Sequence, residues 1–207
     1  MSINISLYDL VNIDELVYTH DISKKHQKRI DEGKEWLKTI SVPYKNPPKN
    51  SSYVTLNELE FLRDLRTDGS ELKEFDNIED NFSDLLEGFG FDRNEDYIDD
   101  LVHKSRGPIY VLKYHYNRPR PSQVAEVRGI DINQSSVDSA KTPSYPSGHS
   151  TQAYLLAIKL ATKYPSIASE LYELGENISY SRVLGKVHYP SDYQYGKILG
   201  DSLARSL

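Results

Sequence analysis

No cysteine occurs in the 207 residues, which excludes disulfides, thiolate catalysis and cysteine zinc sites. Positive charge is in deficit. Lysine and arginine number 25 against 31 aspartate and glutamate, a net charge of -6. That balance excludes a general binder of nucleic acid or anionic membrane, so any anion site must be a local basic pocket. Long apolar runs are missing too. The longest, around Ala153–Ala161, is short and interrupted by Lys159, so no membrane span is expected. Met1 to Leu7 show no basic stretch followed by an apolar one, and no signal peptide is read. The expected compartment is the cytoplasm as the sequence is written, or the periplasm if a leader was removed. Internal repeats, low-complexity tracts and strand-like alternation are also lacking.

What is present has helical spacing. The length suits one domain, taken as residues 1–207. Leu10, Ile13, Leu16 and Val17 share a face, and a second helix follows Asp21 through Ile30 to Trp36. Val42–Ser52 is a proline-broken loop. Thr55 to Glu58 has the form of a capping box, opening a helix that stops at Asp68-Gly69. The acidic side chains of residues 71–100 read as solvated helix faces. Asp92, Asn94 and Asp96 have the first spacings of a calcium loop, but Tyr97 and His103 stand where glycine and glutamate are needed, so that reading is rejected. A helix over 93–117 leads to Lys113. A polar loop over Glu126–Tyr145 precedes a helix over Thr151–Tyr164. Another runs from Ser166 to about Val183, and a last one, capped by Ser191 or Asp192, turns Tyr195, Leu199 and Leu203 inward. Gly196 and Gly200 cost helix propensity and imply a close backbone contact. The fold class is all-α, a compact bundle of roughly eight to ten helices.

The chemistry centres on Tyr145-Pro146-Ser147-Gly148-His149-Ser150. A loop turning into a helix there would present unpaired N–H groups and a positive dipole end to an anion. Gly148 lets a ligand reach the backbone, Ser147 adds a hydroxyl, and His149 can move a proton near neutral pH. Ordinary capping would use the same residues. Lys113 and Arg120 are two turns apart and point the same way if the helix persists to Arg120. Together with Arg182 they can converge on an anion. Each alone could equally be a surface charge, and Arg118 is read as one. His188 and Asp192, four apart, either cap a helix or form a pair in which the carboxylate fixes the imidazole tautomer. His20, His26, His103 and His115 have no matched partner and read as structural or surface residues.

Taken together these residues read K-x6-R-P (Lys113, Arg120-Pro121), P-S-G-H (Pro146–His149) and S-R-x5-H-x3-D (Ser181-Arg182, His188, Asp192). The three-part pattern resembles that of the type 2 phosphatidic-acid phosphatase superfamily. The stretch from Tyr172-Glu173-Leu174-Gly175 to Ser191-Asp192 looks most like the soluble class A bacterial acid phosphatases. The resemblance covers a core of about residues 105–207; residues 1–104 match only in looking helical. It implies a helical bundle of the acid phosphatase/vanadium haloperoxidase type, and a phosphomonoester hydrolase with no metal and no other cofactor. Lys113, Arg120, Arg182, Ser147 and the Gly148 N–H would hold the phosphoryl oxygens. His188 would attack phosphorus to form a phosphohistidine, Asp192 would orient it, and His149 would protonate the leaving group and then activate water. His188 would start neutral and His149 charged. A basic pocket disfavours the latter, and bound phosphate favours it.

The partner so implied is a small phosphorylated substrate, with neither nucleic acid nor integral membrane association. Relatives often form homo-oligomers, so a second copy of the chain stays among the partners. Class A relatives usually carry a signal peptide, which this sequence does not show. The alternative enzyme is a vanadium-dependent haloperoxidase, which shares the pocket and in which His188 would ligate vanadium; those chains are typically far longer. A third reading, a non-catalytic phosphate-binding module, leaves the histidine pair and Asp192 without a purpose.

Overall fold

The structure, a computed structural model, describes residues 13–18, 21–38, 40–67, 70–135 and 140–207. Among them are nine α-helices and no strand: α1 (Lys24–Leu37), α2 (Tyr53–Asp64), α3 (Ser70–Glu74), α4 (Ile78–Gly88), α5 (Glu95–Tyr116), α6 (Pro121–Val127), α7 (Gly148–Lys163), α8 (Ala168–Leu184) and α9 (Pro190–Ser206). Short 3-10 turns occupy Ile13–Glu15 and Pro165–Ile167. Leu10, Asp68, Gly69 and His20 lie outside the described residues.

Helix α7 is the axis of the bundle. Its sequence is apolar on most faces, and Ala153, Leu155, Leu156, Ala157, Leu160 and Ala161 are all buried. Such a helix must be covered on several sides. Helices α8 and α9 flank it, and their glycines set the distance. A Cβ on Gly175 would lie 2.9 Å from the Ala157 Cβ, on Gly196 2.8 Å from the Ser147 carbonyl oxygen, and on Gly200 2.6 Å from the Thr151 carbonyl oxygen. The close contact expected from Gly196 and Gly200 is therefore backbone to backbone. We expect Gly200→Ala to destabilise the fold by about 1–3 kcal/mol despite its better helix propensity. Urea denaturation reads this directly, and an unchanged midpoint would remove close approach as the reason for the glycine.

A second, smaller core joins Leu59 and Leu62 of α2 to Val124 and Ala125 of α6, Val183 of α8, and Tyr189 and Tyr193. It fastens the first third of the chain onto the motif-bearing helices.

Several boundaries differ from expectation, each for a local reason. Ser52, not Thr55, caps α2: its Oγ accepts from the Thr55 N–H at 3.2 Å. The helix ends at Asp64, short of Asp68. Helix α5 stops at Tyr116, and Asn117, in the left-handed region at φ 46°, turns the chain away. Asparagine tolerates that conformation. Arg120 is consequently not two turns along from Lys113 on one helix. It stands in extended backbone before Pro121, which opens α6 inside a stretch with no helix expected before Glu126. Helix α9 begins at Pro190 after Tyr189, which puts Ser191 and Asp192 inside its first turn rather than at the cap.

Candidate active site

Helix α7 starts at Gly148, and Ser147 caps it. The Ser147 Oγ accepts from the Ser150 N–H at 3.3 Å and from the Ser150 hydroxyl at 2.9 Å, leaving its own hydrogen for another acceptor. The Tyr145–Pro146 peptide ahead of it is cis. The Ser147 N–H donates to the Asp192 carbonyl at 3.1 Å, so the start of α7 and the first turn of α9 are held together.

His188 sits in the turn before α9, 4% exposed. Its Nδ1 lies 3.2 Å from Asp192 Oδ2, and its Nε2 lies 3.0 Å from Arg120 Nη1. Arginine can only donate. His188 therefore accepts at Nε2, carries its proton on Nδ1, and donates that proton to Asp192. Burial and Arg120 hold the imidazole well below its ordinary pKa, so it is neutral with a lone pair on Nε2.

Asp192 is fully buried, with four donors around it. They are Arg118 Nη1 at 2.6 Å, the Ser144 hydroxyl at 2.5 Å, the Tyr189 N–H at 3.0 Å and His188 Nδ1. Burial alone would raise its pKa; Arg118, His188 and Ser144 outweigh burial and hold the carboxyl well below the usual carboxylate range. Arg118 is 2% exposed, not the surface charge expected. Its second nitrogen reaches Glu58 Oε2 at 3.2 Å, and its guanidinium lies 3.8 Å over the Tyr189 ring. Glu58 also accepts from the Ser191 N–H at 2.6 Å and hydroxyl at 3.0 Å. It is thus a cross-helix acceptor rather than half of a capping box.

The cations are fixed by backbone carbonyls. Arg120 donates to Thr142 O at 2.8 Å and Val187 O at 2.7 Å, and Lys113 donates to Pro143 O at 2.5 Å. Burial lowers both. Arg120 falls to about 10 and stays charged at neutral pH; Lys113 falls well below its ordinary value, with Arg120 adding to the effect. Arg182, 1% exposed, also falls to about 10 through burial. Its Nη2 donates to Asp76 Oδ1 at 3.1 Å. Asp76 meets His149 as well: Nε2 lies 3.3 Å from the Asp76 carbonyl and 3.5 Å from its carboxylate. Hydrogen bonding from His149, then Arg182, holds the Asp76 carboxyl well below its usual range against the effect of burial. His149 is lowered to about 4 by burial and Arg182, with Asp76 opposing. Burial and Arg182 thus favour the neutral form of His149, against the charged one expected at the start of a reaction.

These groups meet at an open cavity of about 160 Å³. Lys113, Thr142, Gly148, His149 and His188 form its inner wall. Arg120 reaches it through His188 and Thr142, and Arg182 through Asp76 and His149; Asp192 stands behind His188 and Ser147 behind Gly148. All eight residues singled out in the sequence thus lie in one neighbourhood. Sequence reasoning missed Arg118, Glu58, Ser144 and Asp76. Asp76 sat in an acidic tract that looked uniformly solvated. Among the described residues no cluster of His, Asp and Glu is arranged to hold a metal ion, and no helix is long and apolar enough to cross a membrane.

Residues 105–206 match the PAP2 superfamily. A stretch of 60 residues is 40% identical to the non-specific acid phosphatase of Salmonella typhimurium, covering 29% of this chain and 24% of that protein. Over 87 residues the chain is 33% identical to an acid phosphatase of Zymomonas mobilis, covering 42% of this chain and 33% of the relative. The matched segments thus span a quarter to a third of those relatives' lengths. In three dimensions the chain is similar to a bacterial vanadium-dependent iodoperoxidase, with a TM-score of 0.60 at 14% identity over 80% of this chain and 51% of the other. That likeness is one of fold.

Proposed function

We propose, from the match of residues 105–206 to the PAP2 superfamily, that the chain is a phosphomonoester hydrolase working through a phosphohistidine, without a metal. The observation that carries this reading is His188: buried, neutral, anchored at Nδ1 by Asp192 and offering Nε2 to a cavity whose walls hold Lys113 and the start of α7. Lys113, Arg120, Arg182, the Ser147 hydroxyl and the Gly148 N–H hold the phosphoryl oxygens and meet the charge of the transition state. Arg120 turns its N–H from Nε2 to a phosphoryl oxygen as substrate enters. The Nε2–P bond forms in line as the P–O bond to the alcohol breaks, and His149 gives its proton to the departing oxygen. Asp192 accepts from the imidazole as it becomes positive. Water then attacks the phosphohistidine, His149 takes its proton, and inorganic phosphate leaves. The preceding part of the chain belongs to the same unit, since Glu58 and Asp76 touch Arg118, Arg182 and His149.

The test is phosphate release from p-nitrophenyl phosphate by the purified chain with EDTA present, in parallel with iodide and bromide oxidation by peroxide and vanadate. We expect release that survives EDTA and is blocked by vanadate, which matches phosphate in charge and size and suits the same donors. Halide oxidation without phosphate release would favour the peroxidase reading, and phosphate-ester binding without turnover a binding module.

The pH profile tests His149. With the free imidazole near 4, kcat/KM for an alkyl phosphate should fall as pH rises above about 4. A bound phosphate dianion stabilises the imidazolium, so the limb in kcat should lie at higher pH. Asp76→Asn removes a group that raises the His149 pKa, and both limbs should move to lower pH. His149→Ala should retain turnover of an aryl ester far better than of an alkyl one, since only the poorer leaving group needs the proton. Profiles that ignore both substitutions would remove His149 from the role.

A further inference from the structure

A second cavity adjoins the first on its outer side and shares two of its lining residues, Arg29 and Arg106. It measures about 250 Å³, and Lys25, Lys28, Glu32 and His103 also line it. The geometry has a local cause. Helix α1 crosses α5 at Gly33 and Gly107, where an added Cβ on Gly33 would fall 2.3 Å from the Gly107 backbone. That crossing presses the basic face of α1 against α5. One turn before Gly33, the Arg29 guanidinium lies 5.3 Å from the centre of the Tyr110 ring, at the mouth of the first cavity. His26 Nδ1 contacts the Tyr114 hydroxyl at 2.6 Å and fixes the helix on its other side.

The acidic groups nearby do not neutralise this face. Glu32 lies 3.9 Å from Lys28, and Glu79 takes one N–H of Arg106 at 3.3 Å. Lys25 and Arg29 have no carboxylate within ion-pair distance among the described residues, in a chain of net charge -6. Cations gathered without matching anions at the rim of a phosphoryl pocket raise the local concentration of anions. Half-buried arginines with spare N–H groups suit phosphate oxygens in particular. Arg106 and Lys113 are seven residues apart on α5, a rise of about 10.5 Å. Between them, Ile109, Tyr110 and Gln152 offer a mostly apolar floor.

We propose that the outer cavity is a subsite for a second phosphate, so that the preferred substrate is a small organic molecule bearing two phosphate groups about two helical turns apart. The inner cavity hydrolyses one group while Arg29 and Arg106 hold the other. This rests on the phosphatase reading of the inner cavity, and the experiment separates the two.

Calorimetric titration of the full chain with hexylphosphonate and with hexane-1,6-bisphosphonate needs no turnover. The bisphosphonate is expected to bind about tenfold more tightly, beyond the statistical gain of two equivalent ends, and the margin should shrink with added salt. Arg29→Gln combined with Arg106→Gln should bring the ratio down to that statistical value. Lys104→Gln, on the same helix but paired with Asp100 at 2.6 Å, should leave it unchanged. A ratio no larger than the statistical one, or one lowered equally by Lys104→Gln, would overturn the subsite. Phosphate release from hexyl phosphate is measured alongside. Release with equal binding condemns the subsite alone, whereas tight bisphosphonate binding without release condemns the phosphatase reading and leaves the subsite standing.

Discussion

His188→Ala is expected to lower phosphate release from p-nitrophenyl phosphate by about six orders of magnitude, the scale seen when the nucleophile of a catalytic triad is removed. The covalent phosphoenzyme should vanish with it. The fold should survive. Asp192 keeps three donors without the imidazole, namely Arg118, Ser144 and the Tyr189 N–H, and Arg120 keeps its two carbonyls. The loss is therefore chemical, and circular dichroism should show a folded variant. Phosphate affinity should change far less than turnover, because Lys113, Arg182 and the Gly148 N–H remain. Rapid-quench labelling with a phosphate ester distinguishes the cases: a phosphohistidine is stable in base and lost in acid. Robust turnover or retained labelling in the variant would move the nucleophile elsewhere.

The fold class and the inner wall of the site were legible because short-range rules govern them. Helical periodicity marked α5, α7, α8 and α9, and Gly196 and Gly200 announced a close contact that the α7–α9 packing explains. The Ser147–His149 stretch was found because a helix start has a local signature. His188 and Asp192 were found because four residues is a distance one turn closes. What escaped was set by contacts between distant parts of the chain. Arg118 looks like any arginine in R-P-R-P until Glu58, sixty residues earlier, is brought beneath it. Asp76 is one acid among many until α3 and α4 place it between Arg182 and His149. Lys113 and Arg120 were paired for the wrong reason. The periodicity that should have aligned them ends at Asn117, and it is the Thr142–Pro143 segment that fixes both, through two carbonyls.

Arg118 carries the largest expected effect on stability. Its two nitrogens bridge Asp192 and Glu58, and all three side chains are buried or nearly so. Arg118→Met leaves two carboxylates in low dielectric without the cation they share. Removing one partner of a buried ionic cluster typically costs about 3–5 kcal/mol, whatever the net worth of the intact cluster. Burial already raises Glu58, with Arg118 opposing, so the substitution must raise it further. The sign of the pH dependence follows. A carboxyl whose folded pKa lies above its unfolded one binds more protons when folded, so its contribution is present in acid and lost as pH rises through the folded value. The stability gap between the parent and Arg118→Met should therefore widen from acid towards neutral pH. Adding Glu58→Gln to Arg118→Met removes one of the stranded charges and should recover part of the loss, a non-additivity that a double-mutant cycle measures. Arg118→Lys keeps the charge but not the fork, and should recover less than the full amount. On the proposed mechanism, turnover should fall in Arg118→Met even where it is folded, because Asp192 would take a proton more readily and His188 would lose the anion at Nδ1 that steadies it during attack. An Arg118→Met variant within about 0.5 kcal/mol of the parent at neutral pH would mean that the bridge contributes nothing to stability, and would remove the reason for tying Glu58 to His188.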